Sequence, residues 1–129
     1  MKASFLKRFL DGKEDFESLK KEIEEGVAGY KRNKPKRGAS SPVFLDYENN
    51  VFIVKAPHVK RICEGFLNDQ LDSDEVCYLA TALELSQDFE MESEEIEEWV
   101  LYLADETSAE VTLRKDEVLE ILRRLKQRN

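Results

Sequence analysis

The chain has a single histidine, two cysteines and five glycines in 129 residues, and each scarcity narrows the function. One histidine, His58, leaves little with which to assemble the nucleophile, base and orienting group of covalent catalysis. Its nearest thiol in sequence is Cys63, and steps of about 100° per residue set the two roughly 140° apart around one helix. They cannot pair within that element, so an ordinary first-turn helix residue is the expectation for His58. Cys63 and Cys77 make no CxxC or CxxH spacing, and both are expected as buried free thiols rather than zinc ligands or a redox pair. Gly12, Gly26, Gly29, Gly38 and Gly65 are mostly isolated, so neither a P-loop nor a GxGxxG phosphate cradle is present. No run approaches the ~20 apolar residues of a membrane span, and "MKASFLKRFLDGKEDF" meets charge too early for a secretory leader. A cytoplasmic, non-enzymatic protein with no cofactor and no metal is expected.

The longest absence is of positive charge. From Ile62 to Leu113 there is no lysine or arginine, within a chain of net charge -8. Residues 1–42 carry 11 Lys/Arg against 7 Asp/Glu, residues 43–110 carry 3 against 18, and residues 111–129 carry 6 against 3. Basic ends therefore flank an acidic middle. Such a field repels nucleic-acid phosphates and attracts basic proteins.

What remains reads as one largely helical domain over residues 1–129. Phe5, Leu6, Phe9 and Leu10 recur at helical spacing before an Asp11-Gly12 stop. Phe16, Leu19, Ile23, Val27 and Tyr30 continue the pattern, with Gly26 and Gly29 weakening the far end of that second helix. "KRNKPKRGASSP", residues 31–42, combines five basic residues with Gly, Pro and Ser and reads as a mobile basic loop. "VFLDYENNVFIVKAP" has branched and aromatic residues on both sides of Glu48-Asn49-Asn50, which predicts a small antiparallel β-hairpin. Pro57 opens a third helix with the stripe Val59, Ile62, Cys63, Phe66 and Leu67. Asp72 and Glu75 form a capping box ahead of Val76, Leu79, Ala80 and Leu83. Ser93 caps a fifth helix with Ile96, Trp99, Val100 and Leu103 inward, and a sixth carries Val118, Ile121, Leu122 and Leu125. The expected class is mainly α (α+β): about six helices packed with the hairpin.

The segment "SQDFEMESEEIEEWVLYLAD" concentrates the acid, with eight carboxylates and no cation across residues 86–105. Catalysis is one use to consider. Glu94 and Glu98 are i, i+4 neighbours at the spacing a glycosidase pair needs, but such a pair requires one carboxyl in an apolar cleft, which a convex helix face lacks. Calcium is another. A calcium loop aligned on Asp72 puts Val76 at its fifth position and Cys77 where glycine is required, so "NDQLDSDEVCYL" is not an EF-hand. A merely solvated face would interleave both signs, because i, i+4 Glu–Lys pairs stabilise a helix and like pairs repel. A single-signed face is better explained as a docking surface that steers a basic partner. The candidates are Glu90, Glu92, Glu94, Glu95, Glu97, Glu98 and Asp105, with Trp99 in the core.

From Val51, "VFIVKAPHVKRICEGFLNDQLDSDEVCYLATALELSQDFEMESEEIEEWVLYLAD" resembles small bacterial immunity proteins of contact-dependent inhibition and polymorphic-toxin systems. The shared pattern is a strand, a Pro-initiated helix ending in "FLNDQLDSDEV", the helix "CYLATALELS", an acidic connection and "EEIEEWVLYLAD". The resemblance covers residues 51–105. It implies a non-enzymatic protein that binds a cognate toxin, often a basic nuclease, and covers its active site. An acidic adaptor that binds a basic segment of another protein is the alternative that the residues leave open.

Overall fold

The computed structural model describes residues 2–33, 50–104 and 113–127. Within them, the elements run α1 (Ala3–Leu10), α2 (Phe16–Asn33), β1 (Phe52–Val54), α3 (Ala56–Leu67), α4 (Ser73–Leu85), β2 (Phe89–Met91), α5 (Glu94–Leu103) and α6 (Lys115–Gln127).

Most helix ends follow from local chemistry. α1 stops at Asp11-Gly12, where Gly12 takes the left-handed φ of 79°. The Gly12 N–H then donates to the Phe9 carbonyl at 3.0 Å and the Lys13 N–H to that of Arg8 at 2.8 Å, which satisfies two orphan carbonyls. α2 is opened by Asp15, whose carboxylate accepts the Ser18 N–H at 2.7 Å. That bond holds the Asp15 carboxyl below its ordinary range. At α4 the capping box forms as the spacing predicts: Asp72 accepts from the Glu75 N–H and Glu75 from the Asp72 N–H, both at 2.8 Å. Ser93 Oγ accepts the Ile96 N–H at 3.3 Å and opens α5. α2 runs through Asn33, so the first three residues of the expected loop 31–42 are helical, while the rest of it lies outside the described residues.

The hairpin expectation is corrected. Among the described residues β1 pairs in parallel with β2, in the register Phe52↔Phe89, Ile53↔Glu90, Val54↔Met91. A parallel pair cannot be closed by a tight turn and needs a helical crossover, which α3 and α4 supply. The partner strand lay inside the carboxylate-rich stretch and is only three residues long. The other half of the expected hairpin, residues 43–47, lies outside the described residues.

One core joins these elements. It takes Leu6 and Phe9 from α1, Leu19 and Ile23 from α2, Ile62 from α3, Ile96 and Leu103 from α5, and Ile121 from α6. α4 passes through its middle and is buried continuously from Glu75 to Leu83. That is why the one-sided stripe Val76, Leu79, Ala80 and Leu83 understates it: Cys77, Tyr78 and Ala82 are inside as well. α6 packs mainly against α3, and β2 lies against both α4 and α5.

Candidate functional site

The chemistry-bearing residues outside the acidic region are committed to structure. His58 Nδ1 accepts the Lys55 N–H at 2.9 Å, and Nε2 lies 3.1 Å from Asp11 Oδ1. With Nδ1 accepting, the ring proton belongs on Nε2, so the imidazole caps α3 and ties it to the end of α1. Cys63 and Cys77 are free and buried, as expected. Burial pushes the Cys63 thiol up to about 12, with Glu64 adding to the effect. Arg61 lies between the Phe9 and Phe16 rings, 4.5 and 4.8 Å from their centroids, and donates to the Glu14 carbonyl at 2.7 Å. Lys7, on α1, donates to the Asn50 carbonyl at 2.7 Å and sits 3.6 Å from the buried carboxylate of Asp88.

The acidic residues behave differently. Glu94, Glu97 and Glu98 are exposed on α5, Glu90 is exposed on β2 and Glu92 just beyond it. Glu95 is half-buried and engaged, so it does not belong with the free carboxylates. Asp105 lies outside the described residues. Trp99 is half-buried against the core as expected, and its buried indole Nε1 has no hydrogen-bond partner among the described residues.

Part of this arrangement is ordinary helix electrostatics. Glu94, Glu95 and Glu97 fall in the first turn of α5, where the positive end of the helix dipole favours acids. The same reasoning does not extend to Glu90, Glu92 or Glu98. It fails most clearly for Glu84, in the last turn of α4, where the dipole disfavours an acid and no basic residue is present. Among the described residues, Glu84, Glu90, Glu92, Glu94, Glu97 and Glu98 have no cationic group within 4.0 Å. Acids elsewhere on the surface commonly have one: Glu17 with Lys21, Glu64 with Lys60, Asp69 with Lys115 and Glu120 with Arg123 and Arg124.

The fold draws three of these carboxylates together. Glu84 from α4, Glu90 from β2 and Glu97 from α5 surround a depression of about 310 Å³ also lined by Phe89, Met91, Val100 and Leu101. Phe89 and Val100 are buried, Met91 is half-buried and Leu101 is 41% exposed, so most of the surface the depression presents to solvent is polar. Glu92, Glu94 and Glu98 do not line it. Glu84 was missed in the sequence reading, although its position at an uncompensated helix C-terminus is a signal that sequence alone carries. Among the described residues no three His, Cys, Asp or Glu side chains converge to hold a metal ion, so the rim carboxylates are spread rather than clustered. No helix of the described residues is long and apolar enough to cross a membrane. No protein-family model, curated protein or solved structure matches this chain.

Proposed function

We propose that this chain is a non-enzymatic immunity protein whose acidic face binds and neutralises a cognate toxin, the contact being made to a basic nuclease domain. The observation that carries the reading is the row of exposed carboxylates on β2 and α5, joined by Glu84, that no cation of the described residues meets. Glu94 and Glu98 stand one helical turn apart and repel, and an arriving basic surface removes that repulsion. A nuclease cleft is electropositive because it holds phosphates, so carboxylates along α5 and β2 offer it a competing anionic surface. The commitment of His58 to capping and the buried, weakly acidic Cys63 thiol favour binding over catalysis. A second reading, an adaptor that grips a basic segment of another protein, is favoured by the depression itself, whose volume is close to the ~300 Å³ lower end of ligand sites.

The test is co-expression with the product of the adjacent upstream gene. The immunity reading expects a stable complex and rescue of growth. Neutralising Glu94, Glu97 and Glu98 together to Gln should slow association and flatten its dependence on salt. A toxic neighbour that neither binds nor is neutralised ends the immunity reading, and an unchanged on-rate in the triple variant removes α5 from the interface.

A further inference from the structure

β2 has two edges, and the fold uses one of them. Beside β1, the Phe52 N–H donates to the Asp88 carbonyl at 2.7 Å and the Glu92 N–H to that of Val54 at 2.9 Å. A parallel ladder of that phase turns the backbone groups of Asp88, Glu90 and Glu92 toward β1 and those of Phe89 and Met91 away from it. Among the described residues no third strand takes them. The Phe89 N–H turns back to the Ser86 carbonyl at 3.4 Å, while the Phe89 carbonyl and both backbone groups of Met91 make no hydrogen bond among the described residues.

The depression between α4, β2 and α5 lies along this free edge. Successive residues of a strand face opposite sides, so a hollow on one face of β2 would touch alternate residues. This one touches Phe89, Glu90 and Met91 in succession and no residue of β1. It is therefore open to strand backbone, in keeping with its mostly polar surface. Unpaired strand groups beside open space are a template for another strand. Glu84, Glu90 and Glu97 border it, with no cation of the described residues within 4.0 Å, and they select which strand can enter. A second copy of the same edge would set like charges opposite each other, which is destabilising. An extended segment with Lys or Arg at alternate positions instead sets a cation opposite Glu90.

We infer that the free edge of β2 takes up an extended, basic segment of a protein partner as a third strand, with backbone hydrogen bonds to Met91 and a Lys or Arg side chain beside Glu90. The inference rests on the proposed docking function and adds how the partner is held. Backbone pairing supplies a contact that charge alone does not, and the bordering carboxylates give it sequence preference. β2 is three residues long, so the added strand is short, about 10 Å.

The experiment uses the full-length, 15N-labelled chain at low salt, titrated with the blocked peptide Lys-Val-Lys-Val-Lys, the same peptide N-methylated at every residue, and Glu-Val-Glu-Val-Glu. The expected result is a saturable titration in which the Met91 amide proton moves downfield, as a new hydrogen-bond donor does. The Glu90 amide, already turned to β1, should move far less. The N-methylated peptide keeps the charge but has no backbone N–H, and should bind about tenfold more weakly. The acidic peptide should not bind, and Glu90→Gln should weaken the basic one about two- to fivefold. Equal binding of the N-methylated peptide, or a footprint on Glu94 and Glu98 with Met91 unmoved, overturns the added strand and leaves the wider docking function standing. No saturable shift with either cationic peptide also overturns the added strand. The docking function fails separately, when the adjacent upstream product neither binds nor is neutralised.

Discussion

Gly26 offers the sharpest test of how α2 sits on α4. In the interior of an exposed helix, Gly→Ala stabilises by about 1 kcal/mol, because alanine loses less backbone entropy. Here a Cβ on Gly26 would lie 2.2 Å from the Tyr78 hydroxyl oxygen, 2.6 Å from Cζ and 3.0 Å from Cε2. Tyr78 is only 2% exposed, in the helix that the core surrounds, so the ring cannot swing out. Restoring ordinary contact requires ring and helix to separate by about 1 Å, and overpacking of that kind costs about 1–3 kcal/mol. Gly26→Ala should therefore destabilise the chain by about 1–2 kcal/mol once the propensity gain is subtracted, read as a lower urea midpoint at constant slope. Tyr78→Leu deletes the three atoms in the way. In that background the same Gly26→Ala change should reverse sign and stabilise by about 0.5–1 kcal/mol. Stabilisation of the otherwise unchanged chain by Gly26→Ala would refute the close approach of α2 and α4.

Other outcomes can be checked with equal economy. Asp72→Ala removes the acceptor of the 2.8 Å bond from the Glu75 N–H and should cost about 1 kcal/mol, while Asp72→Asn retains most of it; equal stabilities in urea would show that the cap contributes nothing. The Cys63 thiol titrates at about 12 in the fold against an ordinary 9.0, so the folded state favours the neutral thiol. Its contribution is complete below about pH 9 and is lost as the pH rises toward 12, so Cys63→Ala should flatten the alkaline limb of the stability profile. Glu84→Gln should raise stability by about 0.3–1 kcal/mol by removing an acid from the negative end of α4, measured by thermal unfolding at low salt. A loss of stability there would mean that Glu84 has a structural partner.

Features of the fold with local causes were legible in the sequence. Asp11-Gly12, Asp72 with Glu75, and Ser93 each end or begin a helix through bonds within a few residues, and the apolar spacings of α3 and α6 locate their buried faces directly. What escaped was non-local. The pairing of Phe52–Val54 with Phe89–Met91 depends on two intervening helices returning the chain to itself, and three-residue strands carry almost no periodicity. Gly26 reads as a weak point of a helix until Tyr78 is placed beside it. The site divides in the same way. Its acids are conspicuous along the chain, but the convergence of Glu84, Glu90 and Glu97 involves three elements and follows no single period. Glu95 looks like its neighbours in sequence and is half-buried in the fold.

The tertiary structure brings the basic ends to only part of the acidic middle among the described residues. Lys7 goes to Asp88, Lys20 to Glu75 and Lys115 to Asp69, while Arg123 and Arg124 turn to Glu120 on their own helix. None of these cations lies within 4.0 Å of Glu84, Glu90 or Glu97, although Lys7, paired with Asp88, is 5.9 Å from the Phe89 ring beside them. Helix-dipole stabilisation accounts for Glu94, Glu95 and Glu97 and opposes Glu84. A surface selected for stability alone would place a lysine at position 84, where it would favour the end of α4 and answer Glu90 and Glu97 across the depression. The acid found there costs stability, and the proposed docking function provides the compensating gain: a one-signed rim accelerates encounter with a basic partner and is satisfied only when that partner arrives.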